Sequence, residues 1–452
     1  MSKNNSRLIS RRGFIGTSSA ALAGLTIVPA RAVSGLGHMA PSDKLNIAGV
    51  GIAGMGRVNL ENVEKTENIV ALCDVDWREP AQKIFKKYPG AKQYKDFRVM
   101  LDKQKDIDAV IIATPDHTHA VISMEAMRRG KHVYTQKPLT QTVHEARTLA
   151  KAAKQYKVAT QMGNQGQASD GPRRLREMIW DGVIGPIREI HVWTDRPNNG
   201  LLKIYWPQGV RRPSDTPPVP PELDWDLFLG PAPERPFNPA YHPFVWRGWW
   251  DYGTGALGDI GCHSLDPIFR ALKLKYPATV QAVSTLVNAD TYPSGSIVKY
   301  EFPERADMPP VTLTWYDGGL RPMLMKELDE GMKLGTGGTL YVGDKGFILD
   351  DKILPKSLRD SYTPPKPSIP SSPGHEQEWI NACKGGPAGG SDFEWAGPLT
   401  ETVLLGNVCL RPELKEKLSG MVLKFDPAKP GFTNLPEADQ YLHHEYRKGW
   451  SL

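Results

Sequence analysis

A glycine-rich segment between two apolar runs constrains the fold of this chain more than any other feature of its sequence. Gly49, Gly51 and Gly54 form the pattern G-x-G-x-x-G at the end of an apolar run, residues 45–50. We expect Gly49 to allow a tight turn, Gly51 to let the backbone approach a pyrophosphate, and Gly54 to let a helix pack close to the strand. Asp74 lies twenty residues after Gly54, where a carboxylate can bind a ribose hydroxyl. The segment therefore predicts a dinucleotide-binding strand–helix–strand unit.

Strand and helix signals alternate between residues 44 and 163, as in a doubly wound parallel sheet. Further strands are expected at residues 69–75, 108–113, 132–135 and 158–162, and helices at 79–88, 96–103, 120–129 and 143–156. We therefore predict an α/β fold with an NAD(P)-binding Rossmann domain over residues 33–163. Ligands of such a domain bind at the C-terminal ends of the strands.

After residue 164 the strands follow one another in sequence, which predicts an open, mainly antiparallel sheet. Strands are expected at residues 187–194, 279–285, 296–302, 311–316 and 339–350, and helices at 172–181, 376–383 and 398–410. Residues 197–243 are rich in proline and predict a long loop, and residues 351–374 predict a Ser/Pro-rich linker. We interpret residues 164–452 as a C-terminal α+β domain that binds substrate and mediates assembly into a dimer or tetramer.

The first 32 residues are predicted to be a removed export signal. Arg11 and Arg12 stand in the motif S-R-R-G-F-I, a weakly apolar run follows, and Ala30-Arg31-Ala32 offers a cleavage site. The apolar run is too short and too polar for stable membrane insertion. We expect export by the twin-arginine machinery to the periplasm or beyond. That route carries folded proteins, so a cofactor can be loaded beforehand.

Charge and cysteine content exclude several classes of function. The net charge of +6 comes mostly from the basic residues of the predicted signal, so the remaining chain is almost neutral and does not resemble a nucleic-acid-binding protein. The four cysteines show neither C-x-x-C nor zinc-finger spacing, so we predict no metal site and no disulfide scaffold.

Polar residues follow the predicted strands at 108–113 and 132–135, where the nucleotide is expected. One segment is A-T-P-D-H-T-H, residues 113–119, and the other is Y-T-Q-K-P, residues 134–138. Lys137 can polarise a substrate oxygen or lower the pKa of an alcohol, and a cis bond before Pro138 would aim it into the cleft. His119 has two interpretations, a contact with the cofactor or a purely structural role at the start of a helix.

A second group of candidate residues lies between residues 241 and 266. Asp259 and His263 are four residues apart, hence on one face of a helix, where the carboxylate can orient the imidazole as a proton acceptor. The alternative is a helix cap and a core histidine. The aromatic segment before them contains Trp246, Arg247 and Trp249, which either bind a sugar ring or form a packing cluster or subunit contact.

Four motifs together resemble those of the Gfo/Idh/MocA oxidoreductase family: GVGIAGMG, ATPDHTH, KHVYTQKPL and GALGDIGCHSLD. The resemblance implies NAD as cofactor. NADP stays open as an alternative, because Arg78 lies only four residues after Asp74. It implies nucleotide contacts from Gly49, Gly51, Ile52, Ala53, Gly54, Met55, Asp74, Thr114, Pro115, His119, Gln136 and Lys137. Lys137, Asp259 and His263 would be catalytic, and Trp246, Arg247 and Trp249 would contact substrate together with Asp259 and His263. Gln136 departs from the pattern, because the family usually has glutamate there.

The resemblance implies transfer of hydride from a ring carbon of a sugar or glycoside, C3 in our prediction, to a tightly held nicotinamide cofactor. Two alternatives remain at this stage. One is a redox-neutral glycoside hydrolase that oxidises, eliminates, hydrates and reduces its substrate. The other is a non-catalytic sugar-binding protein on the same fold.

Overall fold

Six parallel strands form the first sheet, in the order β3-β2-β1-β4-β5-β6. The strands are β1 (Asn46–Val50), β2 (Asn68–Cys73), β3 (Lys92–Tyr94), β4 (Ala109–Ile112), β5 (His132–Gln136) and β6 (Thr160–Gly163). All four residues of β4 are buried, as expected for a strand that is covered on both faces. The strand order changes direction between β1 and β4, which is where a doubly wound sheet opens a ligand cleft. The predicted Rossmann fold is confirmed.

Helices connect these strands. They are α1 (Gly54–Val63), α2 (Ala81–Lys87), α3 (Phe97–Lys103), α4 (Asp116–Arg128) and α5 (Val143–Tyr156). The computed structural model describes residues 43–199, 203–323, 333–414, 417 and 421–452. The predicted export signal, residues 1–32, lies outside the described residues. Among those described, no helix is both long enough and apolar enough to cross a bilayer.

The second sheet has nine strands in the order β13-β12-β11-β7-β10-β9-β8-β14-β15, and only the β7–β10 pair is parallel. The strands are β7 (Ile187–Trp193), β8 (Thr279–Ser284), β9 (Ser296–Phe302), β10 (Val311–Tyr316), β11 (Gly338–Gly343), β12 (Gly346–Leu349), β13 (Lys352–Leu354), β14 (Leu423–Asp426) and β15 (Gly431–Phe432). This mainly antiparallel sheet confirms the predicted fold class of the C-terminal part. The predicted boundary after residue 163 falls directly after β6.

The remaining helices are α6 (Asp170–Trp180), α7 (Trp225–Leu229), α8 (Gly255–Ala271), α9 (Lys356–Ser361), α10 (His375–Cys383) and α11 (Phe393–Cys409). Helix α11 is buried along most of its length and packs against both α5 and α8. It therefore connects the first sheet to the helix that carries Asp259 and His263. Residues 46–452 form one compact unit.

Three predicted segments differ from the structure. Residues 339–350 are not a single strand, because Gly343 pairs with Gly346 and the chain turns back between them, so that β11 and β12 form a hairpin. The predicted linker at 351–374 contains β13 and α9, and the predicted loop at 197–243 contains α7. The sequence does contain a turn signal between the two apolar runs, Gly343-Asp344-Lys345-Gly346, which the prediction of a single strand overlooked.

Candidate active site

A cleft of about 590 Å³ opens at the C-terminal ends of β1, β2, β4 and β5. One end holds Lys137 and Arg247, and the other end holds Phe97 and Trp450. Part of its wall comes from the proline-rich segment of the C-terminal region, through Leu227, Phe228 and His242, and part from the aromatic residues Phe244 and Trp246 that follow it. Neither the proline-rich segment nor the stretch around residue 450 was predicted to reach the Rossmann cleft.

The three glycines after β1 have different roles from those predicted. Gly51 has a φ of +75°, and a Cβ there would lie 2.7 Å from the Ala113 carbonyl oxygen. The close packing that we expected of Gly54 belongs to Gly56, which packs helix α1 against the loop after β1, because a Cβ at Gly56 would lie 1.8 Å from the Gly51 oxygen. Gly54 has a φ of +49° and open space around its Cβ position. This open space is the approach that a pyrophosphate needs.

The start of α1 is suited to an anion. Ala53 precedes the helix and offers no capping side chain, and the first turn contains no acidic residue. Within the described chain, the N–H groups of Gly54 and Met55 donate to no protein acceptor. Both residues line the cleft. Unpaired N–H groups beside open space at a helix N-terminus fit the phosphates of a dinucleotide.

Asp74 connects the glycine-rich loop to the end of β2. Its carboxylate accepts hydrogen bonds from the Ile52 N–H at 2.9 Å and from the Asp76 N–H at 3.0 Å. Burial raises the pKa of Asp74, although these two hydrogen bonds act in the opposite direction. Asp74 lines the cleft as predicted, but Ile52 is fully buried and its N–H is already paired. The predicted cofactor contact of Ile52 is therefore not supported.

A charged group beside Asp74 bears on the choice between NAD and NADP. Arg78 binds Asp76 through two hydrogen bonds of 2.6 and 2.8 Å, and His242 lies 2.8 Å from the same carboxylate. Burial raises the pKa of Asp76, but the bonds to Arg78 and His242 outweigh it and hold the pKa well below its usual range. Arg78 is engaged by Asp76, and Lys95, the other cation that lines this end, donates to the Glu222 backbone oxygen. The carboxylates of Asp74 and Asp76 at this end favour NAD.

The opposite end of the cleft contains a buried ion cluster. Lys137 Nζ donates to a carboxylate oxygen of Asp259 at 2.8 Å and to its backbone oxygen at 2.6 Å. Arg247 Nε donates to the same carboxylate oxygen at 3.0 Å. Burial alone would raise the pKa of Asp259, but the two cations hold it far below its usual range. Asp259 therefore stays ionised and holds Lys137 in place.

His263 lies one turn after Asp259 on α8. Burial and the charge of Lys137 lower the pKa of His263 to about 3, so its imidazole is neutral. Among the described residues we find no hydrogen bond between Asp259 and His263, which contradicts the prediction that Asp259 orients His263. Lys137 and Arg247 both donate to Oδ1 of this carboxylate instead.

The predicted substrate residues divide into two groups. Trp246 lines the cleft, and the Arg247 guanidinium lies 4.3 Å from the centres of both the Trp246 and the Phe244 rings. Trp249 is buried, donates to the Ala240 oxygen at 2.8 Å and packs against Tyr241. Trp249 therefore belongs to a packing cluster, which was the alternative interpretation, and not to the sugar site.

His119 has the structural role that the sequence left open. Its buried ring lies 2.8 Å from the backbone oxygens of both Pro138 and Thr114. It does not line the cleft, although Thr114, Pro115 and Lys137 do. His119 thus joins the ends of β4 and β5 instead of contacting a cofactor. The Lys137–Pro138 peptide is cis, as expected.

Asp116 is a cleft residue that the sequence analysis did not include. It is 3% exposed, it begins α4, and it accepts a hydrogen bond of 2.6 Å from the Thr254 hydroxyl. Burial raises the pKa of Asp116 to about 7, despite the nearby charges of Lys137 and Arg247. Its place directly after Thr-Pro at the end of β4 was the signal that could have identified it.

The raised pKa of Asp116 predicts a specific pH dependence of stability. From about pH 4 to about pH 7 the folded chain keeps a proton that the unfolded chain has lost, so stability falls as the pH rises through this window. Asp116→Asn removes the titration and still accepts from Thr254. We expect it to raise the free energy of unfolding by about 1–3 kcal/mol more at pH 8 than at pH 5 in urea denaturation. Asp351→Asn, an exposed control, should give no such difference, and equal effects of Asp116→Asn at both pH values would contradict the assignment.

Two family models match the chain. Residues 44–164 match the Gfo/Idh/MocA oxidoreductase family model for the NAD-binding Rossmann fold, and residues 172–302 match the model for the C-terminal alpha/beta domain of that family. Together the two matches cover more than half of the chain.

Similar proteins include dehydrogenases for sugars and polyols. Inositol 2-dehydrogenase of Salmonella paratyphi B is 30% identical over 151 residues, which are 33% of this chain and 44% of that protein. Levoglucosan dehydrogenase of Pseudarthrobacter phenanthrenivorans is 28% identical over 200 residues, 44% of this chain and 41% of that protein. The chain thus matches less than half the length of either relative.

The fold is also found in solved structures. The WlbA dehydrogenase from Bordetella pertussis, solved in complex with NADH and UDP-GlcNAcA, superposes with a TM-score of 0.57. The superposition covers 85% of this chain and 99% of that one at 16% sequence identity. At this identity the likeness concerns the fold alone.

Proposed function

We propose, from the premise that this chain belongs to the Gfo/Idh/MocA oxidoreductase family, that it is an NAD-dependent enzyme that oxidises a secondary hydroxyl of a sugar or glycoside. The observation that carries the proposal is the ion cluster of Lys137, Asp259 and Arg247, which reaches a dinucleotide-sized cleft through Lys137 and Arg247 and lies beside a neutral His263. The named substrates of the two dehydrogenase relatives, inositol and levoglucosan, support a polyhydroxylated substrate.

The residues of the cleft would hold NAD along its length. The N–H groups of Gly54 and Met55 would bind the phosphates, and Asp74 and Asp76 would face the adenosine ribose. Because Lys137 lies at the other end, that end would receive the nicotinamide half. When bound there, NAD supplies the acceptor for the hydride.

The side chains supply the proton chemistry. The Lys137 ammonium donates a hydrogen bond to the substrate oxygen and stabilises negative charge that develops on it. His263, which is neutral, accepts the proton of the same hydroxyl as the carbon loses its hydride. The hydroxyl-bearing carbon becomes a ketone, one proton resides on His263, and Asp259 keeps Lys137 charged. Arg247 and Trp246 orient the ring through its hydroxyls and its C–H face.

We further propose C3 as the oxidised carbon, a tightly held cofactor, export by the twin-arginine route and assembly as a dimer or tetramer. The C3 position rests on the resemblance to exported members that act on glycosides. The export proposal rests on the S-R-R-G-F-I motif, and it motivates cofactor retention because free NAD is scarce outside the cytoplasm.

Asp116 favours one second candidate, the redox-neutral glycoside hydrolase. A sugar oxidised at C3 has an acidic hydrogen on C2, and its loss expels the aglycone from C1 as the C1–O bond breaks. A carboxylic acid that is protonated near neutral pH can donate the proton that the departing oxygen needs. Water then adds at C1 and the ketone is reduced, so hydrolysis proceeds without net oxidation.

Two readouts on one purified sample test the function. The protein is incubated with NAD and a panel of free sugars and p-nitrophenyl glycosides, while NADH absorbance and p-nitrophenol release are both followed. The proposed oxidoreductase should accumulate NADH in proportion to ketone. Release of p-nitrophenol without NADH would identify the hydrolase instead. Sugar binding without either signal would contradict catalysis and support the binding protein.

A further inference from the structure

A buried polar network joins helix α1, the last residue of β5 and helix α10. Asn59 lies at its centre and is 0% exposed. Gln136 Nε2 donates to the Asn59 Oδ1 at 2.8 Å, and Asn59 Nδ2 donates to a Glu376 carboxylate oxygen at 2.9 Å. Gln136 also lines the cleft and is the residue before Lys137. The network therefore connects the helix expected to bind the phosphates with the strand that carries the lysine.

The surroundings of Gln136 leave its amide little freedom. A Cβ on Gly163 of β6 would lie 2.6 Å from the Gln136 Nε2, so the amide lies directly against the bare backbone of the neighbouring strand. On the other side, the Tyr134 hydroxyl receives the Asn59 Nδ2 at 3.4 Å and the Gln165 Nε2 at 3.1 Å. The side chain at position 136 is therefore fixed against Asn59.

The direction of the hydrogen bonds determines which residues the network tolerates. A carboxylate accepts hydrogen bonds but cannot donate, and an asparagine amide donates from one side and accepts on the other. Because Glu376 requires the donating side of Asn59, the residue at 136 meets the accepting side and must itself be a donor. A glutamate at 136 would place two acceptors face to face, and rotating Asn59 would move the same conflict to Glu376.

We propose that Gln136 and Glu376 are a matched positioning pair, in which one residue must be an amide because the other is a carboxylate. Through Asn59 the pair holds α1 and the end of β5 in register, and so positions Gly54 and Met55 relative to Lys137. This pairing accounts for glutamine at the position where the family usually has glutamate. The effect on cofactor binding rests on the proposed function, whereas the effect on stability does not.

Four proteins test the pairing: the wild type, Gln136→Glu, Glu376→Gln and the double variant. The measurements are the NADH dissociation constant, by energy transfer from tryptophan, and the unfolding temperature without nucleotide. We expect Gln136→Glu to raise the dissociation constant at least about tenfold and to lower the unfolding temperature. Glu376→Gln should change the constant less than about threefold, because its amide oxygen can still accept from Asn59. The double variant should return to within about threefold of the wild type, since Asn59 can then reverse its amide.

Gln377→Glu is the matched control, because it adds the same charge one residue along α10 and its own side chain bonds Asn381 instead of Asn59. It should leave both measurements unchanged.

Equal effects of Gln136→Glu in the wild-type and Glu376→Gln backgrounds would overturn the pairing. An altered unfolding temperature with an unchanged dissociation constant would overturn the positioning role. If Gln136→Glu does not fold, the double variant must restore folded protein, and failure to do so would also overturn the pairing. A wild type that binds no NADH would contradict the proposed function, and the four unfolding temperatures would still decide the pairing.

Discussion

Replacement of Lys137 by methionine should lower the turnover of sugar oxidation by about 1,000-fold or more. Lys137 contacts Asp259 and directly follows β5, at the end of the cleft where the nicotinamide is expected. Methionine keeps the length and the apolar stem but removes the charge that stabilises the developing alkoxide, an effect typically worth 10²–10⁴-fold in rate. The measurement is the rate of NADH formation in a single turnover of NAD-loaded enzyme on the best sugar of the panel, which does not require the cofactor to leave.

The same variant should keep its fold and its nucleotide. Arg247 remains on Asp259 when Lys137 is gone, so the carboxylate is not left without a cation. The NADH dissociation constant should therefore change by less than about fivefold. Lys95→Met, which removes a more exposed lysine at the other end of the same cleft, should retain near-normal turnover. Turnover of Lys137→Met within tenfold of the wild type would contradict the catalytic role of Lys137.

Gly56→Ala should abolish NAD binding and destabilise the chain by about 3 kcal/mol or more. The added methyl group would lie 1.8 Å from the Gly51 carbonyl oxygen, so that either α1 or the loop from β1 must move. That movement displaces the N–H groups of Gly54 and Met55 from the cleft. Urea denaturation and NADH titration measure the two effects separately.

Two other glycines serve as matched controls. Gly171 lies in α6 with no atom within 4 Å of its Cβ position, so Gly171→Ala should be neutral or stabilise by up to about 1 kcal/mol. Gly54 also has open space but a φ of +49°, so Gly54→Ala should destabilise by only about 1–2 kcal/mol. A Gly56→Ala protein as stable as Gly54→Ala would show that the loop and helix are not packed as described.

The first sheet could be predicted because its signals are local. Buried strands such as β4 are continuous apolar runs, and the glycine pattern marks the turn from β1 into α1. Neither signal depends on contacts with distant parts of the chain. The roles of individual glycines could not be read from spacing, because they depend on which backbone atoms face each Cβ position. This is why the packing role was assigned to Gly54 when it belongs to Gly56.

The sequence predicted several residues of the candidate site, but it did not predict which of them contact one another. Asp259 and His263 stand one helical turn apart, and this spacing suggests a pair when only the sequence is known. In the folded chain Lys137, which is 122 positions away, and Arg247 take the carboxylate. At such sequence separations the tertiary structure determines which residues meet. A charged donor also forms a stronger hydrogen bond to a carboxylate than a neutral imidazole does.

Trp450 is translated long after the glycine-rich loop, and this order of synthesis bears on when the chain can bind its cofactor. Its ring lies in the cleft wall near Phe97, with the Arg98 guanidinium 4.5 Å from its centre, and Arg447 fixes the same segment by a 3.1 Å bond to the Gly230 oxygen. A ribosome completes β1, α1 and the lysine of β5 hundreds of residues before it reaches this tryptophan. A nascent chain can therefore display the glycine-rich loop early, but the cleft gains its last wall only after residue 450 has emerged and docked. Firm capture of a dinucleotide, which we propose, would therefore need the segment around residue 450 to be docked, and nucleotide that binds sooner would have an open side through which to leave.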